Sequence, residues 1–156
     1  DLIDILPPSV GRFLFTRTDY RQAIEFEPAE TMAIPDLFDE YDECWHAFLS
    51  GSDEDLARSF VLAQVGKIPD KKAVSFIPRF RDVANYIQLP DVNLQKRFEE
   101  IKGGLLTFEE LELLKEREHF INKIASRVEQ CRSKHQESLR SSEGVIHFIV
   151  CVPKEK

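Results

Sequence analysis

The sequence predicts a mainly α-helical fold, a bundle of four to six helices with two or three short strands. Apolar residues recur at three- and four-residue steps through most of the chain. Residues that start or stop helices stand between those stretches: Pro7-Pro8, Gly51-Ser52, Gly103-Gly104 and Thr107. Strand-like patterns are confined to Ala23–Glu27 and the apolar run Val145–Val152.

Taken in order, Pro7-Pro8 suits a helix start, because an early proline loses only an N–H without an intrahelical partner. Val10, Phe13, Leu14 and Arg17 follow at helical spacing. Ala23-Ile24-Glu25-Phe26-Glu27 alternates apolar and polar, as a short strand or extended link does, and Pro28 ends it. Residues 31–50 form the next helix, with Pro35 in its first turn. Leu37, Phe38, Tyr41, Trp45, Phe48 and Leu49 line one side, and Asp36, Asp39, Glu40, Asp42 and Glu43 form a solvated one. Gly51 stops this helix, and Ser52 is expected to cap the next, from Asp53 to about Ala63.

Gly66 and Pro69 then interrupt the helical pattern and leave a basic loop with Lys67, Lys71 and Lys72. Pro78 opens a helix through Ile87 with Phe80, Val83, Ala84 and Ile87 inward, and Pro90 ends it. Asn93–Lys102 is helical again. Thr107 with Glu110 makes a capping box for the clearest helix, 108–132, whose inner face carries Leu111, Leu114, Ile121, Ala125 and Val128. Residues 133–143 are polar. Val145–Val152 reads as a strand whose partner is expected in 23–27, in 60–65 or outside this chain.

The chain has 156 residues, 42% of them hydrophobic, enough for one compact unit or a subdomain of a larger protein. No apolar stretch approaches the ~18 residues of a membrane span. No basic leader opens the chain, and Asp1 implies a start inside a longer protein. Three cysteines, Cys44, Cys131 and Cys151, argue against a disulfide scaffold and for a reducing, cytoplasmic setting. Net charge is −7 but uneven: residues 1–60 carry −10 and residues 61–156 carry +3. Only the second part offers an electrostatic surface for phosphate, with solvated helix faces as the plainer explanation.

Catalytic constellations are absent from the pattern. His46, His119, His135 and His147 stand in no metal-ligand spacing, and the close pairs Cys44/His46 and Cys131/His135 are not expected to converge on a zinc ion. There is no G-x-S-x-G elbow and no glycine-rich phosphate loop. No catalytic residue, metal or cofactor is therefore expected within these residues.

Several stretches together resemble one family. Pro7-Pro8-Ser9-Val10-Gly11-Arg12-Phe13-Leu14-Phe15-Thr16-Arg17 resembles the segment that follows the catalytic signature loop of class I lysyl-tRNA synthetases. Ala23-Ile24-Glu25-Phe26 and Asp39-Glu40-Tyr41-Asp42 are similar to that family's next strand and acidic-Tyr-Asp helix. Ser75–Gln88 and Leu106–Arg117 are similar to later helices of its anticodon-binding part. The likeness covers about residues 5–130 and is most specific in the first 45. Beyond Glu116-Arg117 the family's Trp and Tyr-Ala-Pro-like segment is replaced by other sequence, which leaves the end of the domain and residues 133–156 without a counterpart.

The resemblance implies a stem-contact and linking region at residues 1–60 and a helical, cage-like anticodon-binding region at 61–156. It implies a parent enzyme that joins lysine to its tRNA with ATP, working as a monomer. The family's H-x-G-H and K-M-S-K-S signatures are missing here, so activation of lysine belongs to a catalytic domain elsewhere in the parent.

Unstacked anticodon bases are read by stacking on aromatic or guanidinium planes and by hydrogen bonds to their edges. Phe76, Arg79, Phe80, Arg81, Asn85, Tyr86 and Gln88 supply that chemistry, although Phe80 reads better as core and Phe76 fits either role. Arg12 and Arg17 are candidates for the tRNA backbone or for internal ion pairs, and Lys67, Lys71 and Lys72 for phosphate. The alternative is a helical protein-interaction module, motivated by the acidic first third and an aromatic stripe, Phe38, Tyr41, Trp45 and Phe48, read as an exposed docking face.

Overall fold

The computed structural model describes residues 4–19, 21–24, 26 and 32–134, with side chains as far as residue 130. Six helices account for its regular structure: α1 (Pro8–Thr16), α2 (Ala33–Ser50), α3 (Glu54–Ala63), α4 (Phe80–Ile87), α5 (Leu94–Lys102) and α6 (Phe108–Lys134). Among the described residues there is no strand, a correction to the expected mixture. Ala23, Ile24 and Phe26 lie in irregular chain, and residues 60–63 belong to α3. Val145–Val152 lies outside the described residues.

The local signals for helix ends act as the residue chemistry demands. Pro8 occupies the first turn of α1. Gly51 and Gly103 adopt left-handed backbone, φ 69° and 78°, and end α2 and α5 by donating to Ala47 O and Glu99 O. The cap of α3 is Asp53, whose carboxylate accepts from Leu56 N at 2.9 Å, in place of the expected Ser52. Asn93 caps α5 through Lys96 N at 3.0 Å.

Gly51 folds α3 back along α2. Phe60 of α3 packs against Phe48, Trp45 and Tyr41 of α2 at ring separations of 5.1, 5.1 and 5.4 Å. Phe13 of α1 meets Tyr41 edge-on at 5.5 Å, and Phe80 of α4 stacks on Phe38 at 4.1 Å. One apolar cluster runs from Leu6 to Ile124, so the boundary expected between residues 60 and 61 falls inside α3 and inside a shared core.

Two expectations about α2 are corrected by this packing. Phe38, Tyr41 and Trp45 are buried and Phe48 is partly so; the aromatic stripe is core. The acidic side is not uniformly solvated either, since Asp42 is only 7% exposed. Its carboxylate accepts from the Arg117 guanidinium of α6, which is 1% exposed, and Arg117 also donates to Pro78 O at 2.6 Å. The inner stripe of α6 is therefore Glu110, Leu114, Arg117, Ile121 and Ile124, with charged residues at two of its five places.

Glu110 is the second buried junction. One carboxylate oxygen accepts from Ser75 N, Ser75 Oγ and Phe76 N at 2.9, 3.0 and 2.9 Å. The other accepts from Thr107 N at 3.0 Å and from Lys102 Nζ. Thr107 Oγ1 accepts in turn from Glu110 N, which completes the capping box. Burial favours protonation of this carboxyl, but Lys102 and the converging N–H and O–H donors outweigh it and hold its pKa at about 2.

Candidate nucleic-acid interface

The residues expected to contact RNA fall into two groups with different electrostatics. The first lies at the start of α4. Arg79 Nε and Nη2 donate to the two oxygens of Asp39 at 2.9 and 2.8 Å, a bidentate pair. Arg81 Nε donates to Asp39 at 2.7 Å, and its terminal nitrogen pairs with Asp36. Asp36 and Asp39 are one turn apart on α2, and Arg79 and Arg81 bracket the start of α4, so two cations meet two anions. Burial would raise the Asp39 pKa, yet the hydrogen bonds and charge of Arg79 and Arg81 prevail and lower it. Arg79 stays firmly protonated beside Asp39. Much of the positive charge expected at this site is thus balanced inside the protein.

The remaining α4 candidates have mixed surroundings. Phe76 is partly buried, with its ring 6.4 Å from that of Phe98, and Phe80 is core. Asn85 is exposed. Gln88 ends α4 and donates from its side chain to Ala84 O at 3.2 Å. Tyr86 packs edge-on against Phe98 and receives Arg97 over its ring at 5.0 Å.

The second group lies on α1 and residues 64–72. Arg17 pairs with Glu40. Arg12, Lys67 and Lys72 are exposed and have no carboxylate partner among the described residues. The Lys71 ammonium sits over the Phe48 ring at 4.6 Å, which holds it in place without cancelling its charge. Ser9 Oγ accepts from Val65 N at 3.4 Å and ties the basic loop to the first turn of α1, one turn from Arg12. The Ser9–Val65 contact therefore joins the turn before Arg12 to the loop that carries the lysines, whereas Arg79 and Arg81 are tied to Asp36 and Asp39.

Phe15 was not among the expected site residues, yet it is 59% exposed on the outer face of α1. The signal was available: with Val10, Phe13 and Leu14 inward, a 100° step per residue turns Arg12 and Phe15 outward together. The partners of Arg79 gave no such signal, because they lie 40 residues away in sequence.

Among the described residues no group of three or more His, Cys, Asp or Glu side chains is placed to hold a metal ion. No helix among them is long and apolar enough to cross a membrane. Cys44 is buried, and burial together with nearby Glu43 pushes its thiol up to about 11. Cys131 and His135 lie outside the described side chains. No family model, no curated protein and no solved structure matches the chain.

Proposed function

We propose that this chain is the tRNA-binding part of a lysine–tRNA ligase, positioning the tRNA and reading its anticodon while a catalytic domain outside these residues performs ATP-dependent aminoacylation. The observation that carries this reading is the run from Pro7 to Asp42, where a Pro-Pro, an Arg-aromatic-Leu, a second Arg and an acidic-Tyr-Asp helix follow in the order of class I lysyl-tRNA synthetases. ATP is then a substrate of the parent enzyme, and the protein acts as a cytoplasmic monomer on lysine-accepting tRNA.

The contacts between the resembling stretches support it. Arg17 of the first pairs with Glu40 of the second. Asp39 and Asp42 of the second hold Arg79 and Arg81 of the third and Arg117 of the fourth. Glu110 of the fourth binds Ser75 and Phe76 of the third. The residues that carry the likeness are thus largely those that fasten the helices to one another. The stripe that motivated a protein-interaction module is core.

The test is a filter-binding titration of the chain with lysine tRNA and with the same tRNA bearing an altered anticodon. Tighter binding of the unaltered tRNA is expected. Equal affinity for both would remove the anticodon-reading role.

A further inference from the structure

Phe15, with Arg12 and the loop that follows α3, forms a surface that the packing leaves uncovered. Ser9, Arg12 and Phe15 step along α1 every third residue and make one continuous ridge on the helix surface. Its first member holds Val65 N, so the ridge rises directly from the loop carrying Lys67. Leu62, in the last turn of α3, and Val65, in the loop after it, are 53% and 55% exposed, and Ile68 is 43% exposed. Phe15, Leu62, Val65 and Ile68 are thus exposed on α1, at the end of α3 and in the loop after it, and Arg12 and Lys67 of the same two segments have no carboxylate partner among the described residues.

We propose that this face binds an unpaired stretch of RNA, with a base stacked on Phe15, apolar contact along Leu62, Val65 and Ile68, and phosphates held by Arg12 and Lys67. The inference rests on the tRNA-binding reading and names the surface that serves it. Charge complementarity selects the occupant. In a chain of net charge −7, Arg79, Arg81, Arg17 and Arg117 are all paired internally, whereas the cations of this face and the neighbouring Lys72 are left for an external anion. An exposed aromatic next to an arginine is a sequence-tolerant platform for a base, since every base offers a π-face. A surface for a paired stem needs only cations. The four apolar side chains fit bases that have left their stack.

The experiment compares the affinity of the 156-residue chain for lysine tRNA with those of Phe15→Ala, Phe15→Tyr and Arg12→Ala, after thermal melts establish that each variant is folded. Phe15→Ala is expected to weaken binding by about 5- to 150-fold with an unchanged salt dependence, as loss of one base stack does. Phe15→Tyr should stay within about twofold of wild type, because the ring is kept. Arg12→Ala should lower the salt slope by about one. If wild type binds tRNA and Phe15→Ala binds equally well, this face is not the RNA platform and only this inference falls; a cover by protein would give that result. If wild type binds no tRNA at any salt concentration, the inference and the tRNA-binding reading fall together.

Discussion

Replacing Glu110 by Gln keeps the size of the side chain and removes its charge from a fully buried position. The Glu110 carboxylate accepts five hydrogen bonds and donates none. A glutamine must turn its NH2 group either toward Thr107 N and Lys102 Nζ or toward Ser75 and Phe76, so donors face donors in both orientations. The shift of the carboxyl pKa from 4.5 to about 2 gives the magnitude. At about 1.36 kcal/mol per pKa unit, the native contacts favour the charged form by about 3 kcal/mol. The folded pKa lies below the unfolded one, so this stability is fully present above pH 4.5 and is lost as the pH falls toward about 2. Urea unfolding followed by circular dichroism should find E110Q less stable than wild type by about 3 kcal/mol at pH 7, with the gap closing near pH 2. A difference below about 1 kcal/mol at pH 7, or one that stays constant down to pH 2, would refute this account of the junction between residues 73–76, α5 and α6.

Two further outcomes are expected. Arg117→Ala strands the buried Asp42 carboxylate and should cost about 3–5 kcal/mol in urea unfolding, while a hydrophobic replacement of both partners should recover much of it; a cost under about 1 kcal/mol would mean that Asp42 finds other donors. Asp39→Asn removes the carboxylate that balances Arg79 and Arg81. If those arginines face RNA, the salt slope of tRNA binding should steepen by up to about one unit, and an unchanged slope would take both off the interface.

Most helix boundaries were legible because they depend on residues close in sequence. Pro8, Gly51, Asn93, Gly103 and the Thr107/Glu110 box act on backbone groups within one turn of themselves. The inner stripe of α6 was only half legible. Leu114 and Ile121 declare themselves by hydrophobicity, but Glu110 and Arg117 are buried because of Ser75, Lys102 and Asp42, partners no local pattern points to. For the same reason the acidic side of α2 reads as solvent-facing until α4 and α6 bring their arginines to Asp39 and Asp42. The strand expected at 23–27 rested on an alternation too short to exclude irregular chain, and no partner strand exists among the described residues.

The candidate interface follows the same division. Arg79 and Arg81 are candidate RNA contacts by residue type, and tertiary pairing with Asp36 and Asp39 balances their charge. Arg12 and the lysine loop stand more than 50 residues apart in sequence. The turn before Arg12 and that loop are joined through Ser9 and Val65, a contact spanning 56 residues. Phe15 reads as one more apolar residue until the turn of α1 shows it pointing away from the core.

The most direct measurement is the salt dependence of the affinity of this chain for lysine tRNA. Arg12, Lys67, Lys71 and Lys72 have no carboxylate partner among the described residues, and each phosphate neutralised contributes about −0.7 to −0.9 to the slope of log K against log salt. Engagement of all four gives a slope of about −3 to −4, reduced by about one in each of Arg12→Ala and Lys67→Ala. A slope near zero, or one that neither substitution changes, would contradict the assignment of this surface to RNA.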